Sequence, residues 1–152
     1  MKRILFASFV TLGLLTSGCG GAGGSVASTP APAPVSSGPT TLQSTDTVVG
    51  VSTTAVAGMT VTVHYTGWLY DASAPNFRGT QFDTSIGKAP FSFKLGAGQV
   101  IQGWDLGVAG MKVGGARTLI IPSSMAYGSA GVRGAIPANA ALVFNVELLA
   151  VQ

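Results

Sequence analysis

Cys19 is the chain's only soft nucleophile and His64 its only imidazole. One thiol forms no internal disulfide, and one Cys, one His and 5 acidic residues supply too few ligands for a thiolate zinc centre or another closed metal site. His64 lies in Met59–Thr66, whose strict alternation puts Met59, Val61, Val63 and Tyr65 on one face and Thr60, Thr62, His64 and Thr66 on the other. Facing away from Tyr65, it is read as structural. Two polar side chains have more suggestive settings. Asp83 follows Phe82 and precedes Thr84 and Ser85, where a carboxylate is ordinarily a turn cap. Tyr127, between Ala126 and Gly128 at the mouth of a glycine-rich loop, is harder to assign to a core. No nucleophile is paired with a base, so the chemistry open to these groups is binding without a covalent step, and no cofactor is expected.

The setting of Cys19 points elsewhere. Lys2 and Arg3 precede an apolar run, Ile4 to Leu15, of about 12 residues, shorter than the roughly 20 needed to span a bilayer and arranged like an export signal. Leu15-Thr16-Ser17-Gly18-Cys19 resembles the lipobox of bacterial lipoproteins, in which the cysteine sulfur is lipidated and the residue becomes the mature N-terminus. Thr16 departs from the more usual leucine. A plain secretory signal with an incidental cysteine is the alternative, while a catalytic thiol would need a base that Gly18, Gly20 and Gly21 do not provide. Glycine directly after the cysteine resembles the sorting pattern for an outer membrane facing the periplasm. The expected organisation is a signal peptide over 1–18, a lipidated Cys19 with an uncharged Gly/Ser/Pro-rich linker over 19–43, and a folded domain over 44–152.

Of the 152 residues, 47% are hydrophobic and 9% charged, which argues against intrinsic disorder. The formal charge of +3 falls to about +1 once Lys2 and Arg3 are removed, so no nucleic-acid partner is expected. Besides Met59–Thr66, the alternation of Leu142, Phe144, Val146 and Leu148 with Val143, Asn145 and Glu147 predicts a strand, as do Thr118–Ile121 and Phe91–Leu95. Between Val100 and Met111 the period changes: Val100, Ile101, Trp104, Val108 and Met111 fall on one helical face. Gly103, Gly107 and Gly110 each weaken that helix by about 1 kcal/mol relative to alanine, so packing must hold it. These elements predict an α+β domain, an antiparallel sheet with one short helix laid across its apolar face. Asp71–Gly79 and Gly128–Pro137 read as surface loops.

In chain order, Val63-His64-Tyr65-Thr66-Gly67-Trp68-Leu69, Gln81-Phe82-Asp83-Thr84-Ser85, Pro90-Phe91-Ser92-Phe93 and Gly98-Gln99-Val100-Ile101-Gln102-Gly103-Trp104 resemble the FK506-binding-protein type of peptidyl-prolyl cis-trans isomerase. The resemblance continues through Met111-Lys112-Val113-Gly114-Gly115, Ala126-Tyr127-Gly128, Ile136-Pro137 and Leu142-Val143-Phe144-Asn145-Val146. It implies a twisted antiparallel sheet wrapped around one short helix and an apolar pocket walled by Tyr65, Phe82, Phe91, Tyr127 and Phe144. Trp104 would be the floor, and Gln99, Val100, Ile101 and Ile136 would complete the substrate-binding set. In the family the backbone N–H matching Ile101 and the hydroxyl matching Tyr127 bond the ligand's carbonyls, and the aspartate matching Asp83 faces the amide being twisted. From the residues alone, Tyr65, Phe91, Trp104 and Phe144 also fit ordinary core.

The implied function is rotation of X–Pro bonds in exported or unfolded proteins by a lipid-anchored, monomeric enzyme of a bacterial envelope. The alternative is a chaperone or adaptor that grips proline-containing segments with little turnover. The chain departs from the family at Gln99, often glutamate, at Val132 and Ala135, which replace larger rim residues, and after Thr84, where no arginine is placed to pair with Asp83. These departures bear on macrolide inhibitors and substrate preference. Asp71–Gly79 adds about 7 residues relative to compact members, forming either a longer surface loop or, through Tyr70, Phe77 and Arg78, an extra contact for client chains.

Overall fold

The computed structural model describes residues 38–152; the export signal, Cys19 and the linker up to residue 37 lie outside the described residues. Six strands form one antiparallel sheet: β1 (Gln43–Val48), β2 (Thr60–Tyr70), β3 (Arg78–Thr84), β4 (Phe91–Lys94), β5 (Ala116–Ile121) and β6 (Leu142–Val151). Their order is β1-β5-β6-β2-β3, with β4 also pairing β2. One helix, α1 (Gln102–Gly107), packs across the sheet.

The alternation predicted for β2 holds: Val61, Val63, Tyr65 and Gly67 are buried while Thr62, His64 and Thr66 are half-buried. In β6, Leu142, Phe144, Val146 and Leu148 join the core. Val143, on the other face, is buried too, so the alternation understates how much of that strand is covered.

Three expectations need correction. The fold starts before Ser44, since β1 begins at Gln43, Leu42 packs against the core, and Gly38 lies so close to Ala141 that a side chain at 38 would collide with it. Gln43–Val48 is exposed at every position and carries no apolar alternation to predict it; its partner β5 makes it a strand. The second correction is β3, whose start at Arg78 absorbs the end of the expected loop. The third is the helix: only Gln102–Gly107 is helical, and Val100, Ile101, Val108 and Met111 are buried from the turns on either side.

The glycines that weaken α1 are what let it dock. A Cβ at Gly107 would lie 2.7 Å from Cδ2 of Leu119, and one at Gly103 would collide with Ile121. Leu119 and Ile121 are both inward-facing residues of β5, fully buried. Helix and sheet therefore approach more closely than alanine would permit, and the tertiary contact offsets the lost helix propensity. Arg117 on β5 holds the same junction, donating to Gly107 O at 2.8 Å and Ala109 O at 3.1 Å while pairing with Asp46 of β1 at 2.6 Å.

Candidate active site

The site grows from a fork in the sheet. On one edge β2 runs continuously along β6; on the other it pairs with β4 through Thr60–Val63 and with β3 through Thr66–Tyr70. Tyr65 stands at the gap between the two partners. There Ser85, just past β3, replaces a strand: its N–H donates to Tyr65 O at 3.0 Å, and its hydroxyl accepts from Tyr65 N–H at 2.9 Å. The same hydroxyl lies 3.0 Å from Nδ1 of His64, which gives the histidine the structural place expected of it. Thr66 and Thr84 hydroxyls meet at 2.9 Å one step along, so the end of β3 is pinned to β2 by side chains as well as backbone.

That pinning places Asp83 opposite Gly67 and within reach of Tyr65. The Tyr65 hydroxyl donates to Asp83 Oδ2 at 2.6 Å, while Thr84 N–H donates to Oδ1 at 2.8 Å. Asp83 is thus both the turn cap its neighbours suggest and the acceptor for the buried phenol. Gly67 has its own reason: a Cβ there would lie 2.7 Å from Phe144 Cε1 and 2.7 Å from Phe82 Cζ. Only glycine lets those two rings close over the β2 backbone.

Around Tyr65 the aromatic side chains form one cluster in which edge-to-face contacts predominate. Its ring centroid is 5.1 Å from Trp104, 6.2 Å from Phe91 and 6.3 Å from Phe144. Phe82 meets Phe144 edge-on at 5.6 Å, and Trp104 meets Phe144 at 5.2 Å. Phe93, which the sequence reading left out of the site, packs against both Phe91 and Trp104. Its signal was present in the Phe91/Phe93 alternation, which points both rings to one face.

The structure divides the expected site residues by accessibility. Phe82, Asp83, Phe91 and Tyr127 are half-buried at the surface of the cluster, with Tyr65 buried behind its hydroxyl. Trp104 and Phe144 are 0% exposed, and Val100, Ile101 and Ile136 are buried beside them. Trp104 is therefore a covered floor rather than an open one, because the Tyr65, Phe91, Phe93 and Phe144 rings close around it; its Nε1 has no hydrogen-bond partner among the described residues. Gln99 does not join the cluster: it is exposed, and its side-chain carbonyl accepts from Lys94 N–H at 2.9 Å, tying the loop to β4.

Two donors remain available. Ile101 precedes α1 in extended conformation (φ −62°, ψ 148°), and its N–H bonds no acceptor among the described residues. The Tyr127 phenol is pushed up to about 12 by burial and by the negative charge of Asp83. Tyr65 is raised as well, first by burial and then by its hydrogen bond to Asp83. Both phenols are accordingly neutral donors at physiological pH. Among the described residues no three His, Cys, Asp or Glu side chains converge where a metal could bind.

A short helix across a forked antiparallel sheet, with half-buried Phe82, Phe91 and Tyr127 and neutral donors beside the fork, presents an apolar surface suited to a carbonyl-bearing ligand. Residues 51–149 match the family model described as FKBP-type peptidyl-prolyl cis-trans isomerase, and the chain belongs to that family. It is 54% identical over 98 residues to an FK506-binding protein of Neisseria meningitidis serogroup C, covering 64% of this chain and 84% of the relative. It is also 54% identical over 99 residues to peptidyl-prolyl cis-trans isomerase FPR2 of Saccharomyces cerevisiae, covering 64% and 69%. The enzyme class is therefore peptidyl-prolyl cis-trans isomerase.

Proposed function

We propose that this isomerase is anchored through a lipidated Cys19 to a bacterial envelope membrane, where it rotates X–Pro bonds of exported proteins and binds FK506-type macrolides in the same cleft. The export signal and lipobox-like Leu15–Cys19 support the anchor, and the FK506-binding proteins among its relatives support the ligand.

The uncatalysed rotation faces about 18–20 kcal/mol because amide resonance must be lost. The twisted amide is less charge-separated than the planar one, and an apolar aromatic surface favours it. The proline ring would rest on Phe82, Phe91 and Tyr127, backed by Trp104 and Phe144, with Ile101 N–H and the Tyr127 hydroxyl holding the flanking carbonyls. The observation that carries this reading is the 2.6 Å bond from Tyr65 to Asp83 inside the ring cluster. With each carboxylate oxygen accepting a protein donor, Asp83 is held in one orientation beside the amide.

Membrane fractionation of cells producing the chain or its Cys19→Ser variant, with isomerisation of an Ala-Pro tetrapeptide measured in each fraction, tests the proposal. Wild-type activity should sediment with membranes and fall on adding a macrolide, and the variant should be equally active in the soluble fraction. Wild-type activity found only in the soluble fraction would refute the anchor.

A further inference from the structure

Beside the aromatic cluster an open groove of about 570 Å³ runs between Leu69 of β2 and the loop from Ala130 to Ala138. Its wall is apolar, formed by Leu69, Val132, Ala135, Ile136 and Pro137, and the only charged side chain lining it is Arg133. The loop is a fixed turn. Val132 and Ile136 exchange backbone hydrogen bonds of 2.7 and 2.9 Å, and Gly134 takes φ +80° at the tip. Gly131 is packed so closely on Ile136 O that a side chain there would collide. Arg133 is exposed at this tip and forms no ion pair among the described residues. Ile136, at the base of the turn, belongs to the buried cluster against which Tyr127 and Val132 pack, so the floor of the groove shares the core of the candidate site.

We propose that this groove holds the client chain next to its X–Pro bond, and that Arg133 selects segments bearing an acidic residue there. A volume of this size accommodates a few side chains. The apolar wall takes the aliphatic part of a Glu or Asp, and the exposed guanidinium at the rim meets the carboxylate in a charge-assisted pair that salt screens. The proposal rests on the isomerase reading and adds a preference to it.

The test uses the full-length chain and proline peptides in which Glu, Ala or Lys is scanned through the two positions before and after the X–Pro bond. The kcat/KM and the Kd of each peptide are measured at low salt. At one position Glu should exceed Lys by about threefold to tenfold, the preference fading at high salt. Arg133→Ala should abolish it and Arg133→Glu reverse it, with turnover of the all-alanine peptide unchanged. Equal values for Glu and Lys at every position, or a preference that survives Arg133→Glu, would overturn the proposal. Loss of turnover on the all-alanine peptide by the wild-type chain would count against the isomerase reading alone, and the peptide Kd values would still decide the role of Arg133.

Discussion

Asp83 is half-buried with both oxygens accepting hydrogen bonds, so its replacement tests chemistry more than folding. Asp83→Ala is expected to lower kcat/KM about tenfold, the equivalent of 1.4 kcal/mol, while the far-UV spectrum stays native. Tetrapeptide turnover at the wild-type level would remove Asp83 from the mechanism. The phenols carry a second expectation. Tyr127 sits near 12 in the folded protein against an ordinary value of about 10, so the unfolded chain releases its proton first as pH rises. The stability contributed by the neutral phenol is whole below about pH 10 and is lost as pH climbs toward 12, at most about 1.4 kcal/mol per pH unit. Urea unfolding between pH 8 and 11.5 should therefore show a shallower alkaline loss for Tyr127→Phe than for wild type. Parallel curves would contradict the burial of that hydroxyl beside Asp83.

Helix α1 and strand β5 meet through absent side chains. Gly107→Ala raises intrinsic helix propensity by about 1 kcal/mol, but its Cβ must push into Leu119, which is fully buried. Overpacking of that kind costs about 1–3 kcal/mol, so the net change should be destabilising and Tm should fall by several degrees. A Tm at or above wild type would mean that the sheet yields to the helix. The fork beside β2 is built in a comparable way. Ser85 completes the edge that neither β3 nor β4 reaches, and Gly67 gives room for Phe82 and Phe144, so the position of Tyr65 depends on three separate segments.

Across the whole molecule, Arg117 joins parts of the chain far apart in sequence: Asp46 on the edge strand, and the carbonyls of Gly107 and Ala109 at the end of α1. Its guanidinium, by hydrogen bond and then by charge, holds the Asp46 carboxyl below its usual range. With the folded value depressed, the stability from this pair is present above the ordinary carboxylate pKa and lost as pH falls through the folded one. Arg117→Ala should cost about 1–3 kcal/mol at pH 7, because two carbonyls lose a charged donor. The gap between the two proteins in thermal unfolding should narrow as the pH falls below 4 and Asp46 is protonated, without closing, because the carbonyl bonds remain. A constant gap down to pH 2 would leave only the carbonyl bonds as the source of the effect.

The strands β2 and β6, the sheet-plus-helix class and the aromatic side chains were legible in the sequence, because one-sided burial writes a period of two or of 3.6 into the chain. His64 was placed correctly by the same alternation. Strand β1 was not legible: an exposed edge strand needs no apolar pattern, and its identity comes from hydrogen bonds to β5. The length of α1 was overread, since buried turns next to a helix extend its apolar spacing without its hydrogen bonds. Sequence placed Asp83 and Tyr127 in suggestive surroundings, and family resemblance gave them roles. Only the tertiary structure decided that Trp104 is covered, that Gln99 turns away to β4, and that Tyr65 bonds Asp83. Those outcomes depend on which side chains from distant segments fill the same space, and close packing is a property of the assembled volume that local sequence pattern does not encode.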